Sequence, residues 1–181
     1  DIDTREFESL AESEYDLSAV NLCGPADDYL VWTENRDGFD VLRGRQLSSG
    51  EPIEFPSLPE GVYSLSCSRQ TSALIVGVNG WRTPGDLYAV DLVSNTRERL
   101  VSSNLAGIAS ETLVRPVSVR MPARDGLELQ GLLYLPTVGG SDKPPSVIFE
   151  VHGGPTGQSR ATFDPVTQYH VARGVAVFKP N

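Results

Sequence analysis

Positive charge is scarce in this sequence. Fifteen Lys and Arg stand against 24 Asp and Glu, for a formal net charge of -9. A nucleic-acid surface needs clustered cations to meet phosphates, so that class of partner is excluded. Histidine is rarer still, with only His152 and His170, and cysteine is limited to Cys23 and Cys67. These four residues fit no zinc spacing, and no metal site is expected. Two cysteines in a chain of this length do not make a disulfide framework. They are expected to be free, half-buried thiols in a reducing compartment, which places the protein in the cytoplasm. No apolar run approaches the roughly 18–20 residues of a membrane span, so no membrane partner is expected. The opening "DIDTREFESL" is acidic where a signal peptide would be basic, so no signal peptide is expected. There is no leading Met, so Asp1 is not expected to be the natural start. There is also no G-x-S-x-G, the setting of a hydrolase nucleophile.

What is present begins with an internal repeat. "DDYLVWTENRDGFDVLRGRQLSSGEP" and "SALIVGVNGWRTPGDLYAVDLVSNTRERL" each read as strand, turn, strand, turn. Leu30-Val31 aligns with Leu74-Ile75, Asp40-Val41 with Asp86-Leu87 and Leu47 with Leu92, at offsets of 44, 46 and 45. A period of that size with several strands per unit marks a β-propeller blade. A blade cannot bury both faces alone, so further blades are expected on the N-terminal side. Cys23 and Cys67 occupy matching strands, which is expected to hold their Cα atoms beyond the ~7 Å limit for a bridge. "NRDGFD" (residues 35–40) fails as a calcium loop, because the first and twelfth ligand positions fall on Thr33 and Gly44. It reads instead as a hairpin turn with Gly38 at positive φ.

Near Leu113 the pattern changes. Val117, Val119 and Met121 alternate on one arm of a long hairpin, and Leu127, Leu129, Leu133 and Leu135 on the other, with the turn at residues 123–126. After a polar loop at residues 137–145, "SVIFEV" (residues 146–151) lacks alternation, as a strand covered on both faces does. Glu150 interrupts it and is expected near the strand end or paired. Asp164 is a good N-cap, Pro165 a good first helical residue and Gly174 a good C′ residue. "VAVFKPN" (residues 175–181) then makes a second buried strand, completing a βαβ unit. That strand is expected to lie at the sheet edge in this chain, inviting self-association.

Between the two strands of this unit stands "HGGP". A parallel strand that ends in a glycine turn presents backbone N–H groups at the carboxyl edge of the sheet, where α/β folds place ligands. Two such groups can receive the oxyanion of acyl transfer. Gly153 and Gly154 are therefore the candidate oxyanion donors, with Gly154 the first choice. His152 and Pro155 are the candidates for supporting the turn, and His170 is expected to be a surface or packing residue.

The blades, then "VSVRMPARDGLELQGLLYLP", "HGGPTGQ" and "QYHVARGVAVFKPN", resemble the prolyl oligopeptidase family of serine peptidases, in its acylaminoacyl-peptidase and dipeptidyl-peptidase-like branch. The resemblance implies the last two blades of a β-propeller over residues 1–112, followed by the N-terminal part of an α/β-hydrolase catalytic domain over residues 113–181. It implies short peptides as substrates, admitted through a propeller that excludes folded proteins, and no cofactor. The rest of the same polypeptide is the implied partner, and assembly of copies is left open. In that family the catalytic Ser, Asp and His come later in the chain, so none of the triad is expected here and this chain alone is expected to be inactive. An esterase of the hydrolase fold and a non-enzymatic propeller scaffold are the alternatives.

Overall fold

The computed structural model describes residues 3, 5–137, 143–154 and 156–181. The polar loop expected around residues 137–145 falls largely outside them, as does Pro155.

The first sheet is antiparallel: β1 (Asp16–Cys23), β2 (Tyr29–Arg36) and β3 (Phe39–Gln46), in the order β1-β2-β3. A two-residue turn joins β2 to β3. Asp37 and Gly38 both take positive φ, 52° and 91°, as a turn that matches strand twist requires. The second sheet has four strands, β4 (Val62–Cys67), β5 (Ala73–Gly80), β6 (Thr83–Asp91) and β7 (Thr96–Val101), in sequence order. The repeat is thus visible in three dimensions, since β2 and β5 start 44 residues apart, as do β3 and β6. In the first sheet the position of a fourth strand shrinks to one bridge, Arg45 to Pro52, with the bonds from Gln46 N to Glu51 O and from Ile53 N to Gly44 O, each 2.9 Å. Pro52 has no N–H to give a ladder, which limits this edge.

The two sheets face each other across one core. Val31 and Leu42 of the first meet Leu74, Val76, Val78, Tyr88 and Val90 of the second, with Cys23 and Leu92 at its margin. Full burial of each such side chain is worth about 1.5–3 kcal/mol, which is what holds two thin sheets together. Two buried acids sit at the repeat-related positions. Asp40 accepts from Tyr63 N at 2.8 Å, and Asp86 accepts from Ser103 N at 2.7 Å and Ser103 Oγ at 2.6 Å. Burial pushes the Asp86 carboxyl up, but the Ser103 and Tyr88 hydrogen bonds and Arg99 outweigh it and hold it below the usual range.

Cys23 and Cys67 form a disulfide, against the expectation of free thiols. Their Cα atoms are 5.1 Å apart. The expectation treated equivalent positions as distant ones. β1 and β4, the first strands of their sheets, instead run alongside one another, and Gly24 N bonds Ser68 O at 3.1 Å just beyond the two cysteines. The pairing removes the thiol-based argument for a reducing compartment.

The third sheet holds β8 (Val117–Pro122), β9 (Glu128–Tyr134), β10 (Val147–Phe149) and β11 (Ala176–Pro180), ordered β10-β11-β9-β8. β10 and β11 are parallel and joined through α1 (Pro165–Ala172), while the other pairs are antiparallel. Asp164 caps α1 by accepting from Val166 N and Thr167 N, and Gly174 follows its last turn at φ 84°. Leu132, Tyr134 and Val177 are buried against Ala161 and Val171, so α1 covers one face. The alternating set Val117, Met121, Leu129 and Leu133 shares the other face with Phe149 and Phe178. That face is largely open, with Val117 half exposed.

Two expectations about this sheet are corrected. β11 is interior, not an edge, because the crossover returns it to the gap between β10 and β9, where it pairs with both. β10 is the edge, and it is exposed rather than covered on both faces, with Phe149 67% accessible. No described element packs over its outer side.

Candidate functional site

The candidate site is the turn that follows β10. Glu150 N still bonds Phe178 O at 2.9 Å, so the ladder runs one residue past the strand. The Glu150 carboxylate meets Lys179 Nζ at 2.9 Å, which is the pairing at the strand end that the sequence suggested. Lys179 is buried in β11 and also meets Asp164 at 2.7 Å. Thr167 Oγ1 donates to Asp164 at 2.9 Å. Burial pushes the Asp164 carboxyl up, but the bonds from Lys179 and Thr167 outweigh it and hold it at about 2. The start of the turn and the start of α1 are thus tied to one buried ammonium.

The backbone then turns sharply. Gly154 takes φ 76°, a left-handed conformation that a side chain disfavours. Gly157 N closes the turn on Gly154 O at 3.4 Å. The His152 ring lies across it, with Nδ1 3.2 Å from Gly153 O. Gly157 is required by this arrangement, since a Cβ there would lie 2.6 Å from Gly153 O and 2.9 Å from His152 Nδ1. By contrast, a Cβ at Gly153 or Gly154 would meet nothing within 4 Å. Space is therefore open beside these two residues.

Beyond the turn the chain runs along the first sheet. Asn35 Nδ2 donates to Gln158 Oε1 at 2.6 Å, and Ser159 N donates to Asn181 Oδ1 at 2.6 Å. Arg160 meets Asp40 at 2.5 Å, and Ala161 N bonds Gly38 O at 2.9 Å. Phe163 N donates to Asn79 Oδ1 at 3.1 Å. Further links of the third sheet and its helix to the first two sheets are Arg115 to Glu60 at 2.7 Å, Arg120 to Asp37 at 2.6 Å, and Gln168 Nε2 to Trp81 O at 3.5 Å.

Of the residues expected from the sequence, His152, Gly153 and Gly154 stand together in one turn. Pro155 lies outside the described residues. His170 is on the last turn of α1, edge-on to Tyr169 at 5.6 Å, and does not join them. Gly157, Arg160, Asp40 and Lys179 were not singled out. Lys179 carried a signal, a lone cation inside the apolar run "VAVFKP". Asp40 carried only its place in the repeat and Arg160 nothing, because their meeting depends on how two sheets dock. No helix among the described residues is long and apolar enough to cross a membrane.

No family model matches the sequence. An uncharacterized peptidase of Bacillus subtilis, YuxL, is 27% identical over 169 residues, covering 89% of this chain and 26% of the relative. A puromycin-hydrolyzing peptidase of Mycobacterium tuberculosis superposes with a TM-score of 0.75 at 22% identity, covering 91% of this chain and 25% of that one. A prolyl endopeptidase structure superposes at 0.79 with 16% identity, covering 94% and 24%. At these identities the structural matches establish the fold. The curated relative is a peptidase, and this chain spans about a quarter of the length of that relative and of the matched structures.

Proposed function

We propose that this chain is part of a serine peptidase that hydrolyses short peptides through an acyl-enzyme. Residues 1–112 supply propeller blades that restrict substrate size, and residues 113–181 open an α/β-hydrolase domain. Gly153 and Gly154 offer the backbone N–H groups of an oxyanion hole, with Gly154 the principal donor. His152 braces the turn and is not a proton carrier. The nucleophile and its partners come from elsewhere in the complete polypeptide. The observation that carries this reading is the turn itself: two glycines with open space beside them, at the carboxyl end of the parallel strand β10. The βαβ unit and the peptidase relative support it. The Cys23–Cys67 bond weighs against a cytoplasmic placement, because reducing compartments keep thiols unpaired.

The test uses the full-length polypeptide. It should react stoichiometrically with a fluorophosphonate at one serine and release nitroaniline from aminoacyl-nitroanilides, while the 181-residue chain does neither. Gly154→Val should lower kcat by roughly 10²–10³, the value of one oxyanion donor. Failure of the full-length protein to label would leave a non-enzymatic scaffold. Turnover of esters without amides would make it an esterase. Near-normal kcat in Gly154→Val would make the turn a mere connector.

A further inference from the structure

The turn is held from two sides, and one of them belongs to the propeller. Its incoming arm is anchored by the β10–β11 ladder and by Glu150 on Lys179. From Val151 to Gly157 the described bonds are internal to the turn, His152 to Gly153 and Gly157 to Gly154. The outgoing arm, residues 158–161, is anchored chiefly on the β2–β3 hairpin. Gly38 O accepts from Ala161 N at 2.9 Å and from Arg160 Nε at 3.4 Å, and Asp40 Oδ1 accepts from Arg160 Nη2 at 2.5 Å. The Asp40 side chain is only 2% exposed, and its other oxygen is committed to Tyr63 N at the start of β4. Asp40 N bonds Gly61 O at 2.8 Å, so backbone and side chain are both fixed by the two blades.

We infer that Asp40, acting through Arg160, is a positioning residue for the Gly153–Gly154 turn, so that the propeller sets the geometry of the acyl-transfer site as well as covering it. This rests on the oxyanion reading given above. The physics is that of a short strap with a charged anchor. A charge-assisted bond to a buried, immobile carboxylate holds its partner more firmly than neutral bonds at an exposed edge. Arg160 lies six residues beyond Gly154. Loosening it therefore lets the turn drift, and a misplacement of about 1 Å at a reacting centre can cost up to about 100-fold in rate.

The experiment measures kcat and KM for the full-length enzyme, with active sites counted by fluorophosphonate titration. The variants are Asp40→Asn, Arg160→Met, Arg160→Lys, the Asp40→Asn/Arg160→Met double and Gly154→Val. The expected result is a roughly 10–100-fold lower kcat per titrated site in Asp40→Asn and Arg160→Met, with KM within about twofold. The double variant should be no worse than the worse single one, and Arg160→Lys should recover part of the loss. A purely structural role would lower the melting temperature and the fraction of titratable sites and leave kcat per site unchanged. That result, with Gly154→Val still impaired, overturns the positioning role alone. If Gly154→Val is also unimpaired, the oxyanion reading falls and takes this inference with it. If Asp40→Asn does not fold, Arg160→Lys and Asn35→Ala decide the matter, since both loosen the strap without burying an unpaired charge.

Discussion

Breaking the Cys23–Cys67 bond should cost this chain a large share of its stability. The bond closes a loop of 44 residues between the first strands of two adjacent sheets. Chain-entropy arguments put the value of closing such a loop in the unfolded state at about 4 kcal/mol. That equals roughly one to three fully buried core side chains of the interface it staples. For a chain of this size it corresponds to a fall in melting temperature of roughly 8–16 °C if the whole chain melts as a unit. The assay compares melts of the oxidised protein, the dithiothreitol-reduced protein and the Cys23→Ala/Cys67→Ala variant. Oxidised protein should melt highest, and the variant should not respond to reductant. Thiol titration of unreduced, denatured protein should find none. Two titratable thiols per chain, or identical melts with and without reductant, would refute the reasoning.

Lys179→Met leaves Glu150 and Asp164 facing each other without a cation. Both carboxylates are partly solvated, so the loss should be about 2 kcal/mol rather than the 3–5 of a fully buried pair, read from denaturant midpoints at pH 7. Because the Asp164 carboxyl is depressed to about 2 from 3.8, its contribution is complete above about pH 4 and disappears as pH falls toward 2. Denaturant midpoints measured across that window should drop in the native protein, and the drop should flatten in Lys179→Met. Gly157→Ala should lower stability by about 1–3 kcal/mol, because the added Cβ must displace Gly153 O or the His152 ring. An unchanged melt would show that the turn yields freely.

Much of this fold was legible in local pattern. The offsets of 44–46 residues reflected two sheets built alike, and "NRDG" marked a hairpin turn with Gly38 at positive φ, to which the structure adds Asp37. Asp164, Pro165 and Gly174 bounded α1 as capping chemistry requires. Glu150 was suspicious in an apolar run and proved to be paired. The errors share one origin, which is that periodicity has no access to neighbours. Cys23 and Cys67 hold equivalent places in the repeat, yet β1 and β4 run side by side and bring them together. β11 looked terminal in the chain yet lies inside the sheet, and β10 looked buried yet lies at the edge.

The sequence by itself determined local matters: the repeated strand-turn-strand units, the ends of the helix, the glycine of the β2–β3 turn, and that a His-Gly-Gly turn follows the first strand of a βαβ unit. These depend on backbone sterics and short-range hydrogen bonds, which act within a few residues. Only the tertiary structure decided that Cys23 reaches Cys67, that Lys179 joins Glu150 to Asp164, and that Arg160 reaches Asp40 across 120 residues of chain. Those meetings follow from how the sheets converge and dock. Docking is set by the summed burial of many apolar side chains, a non-directional force that leaves no mark at any single position.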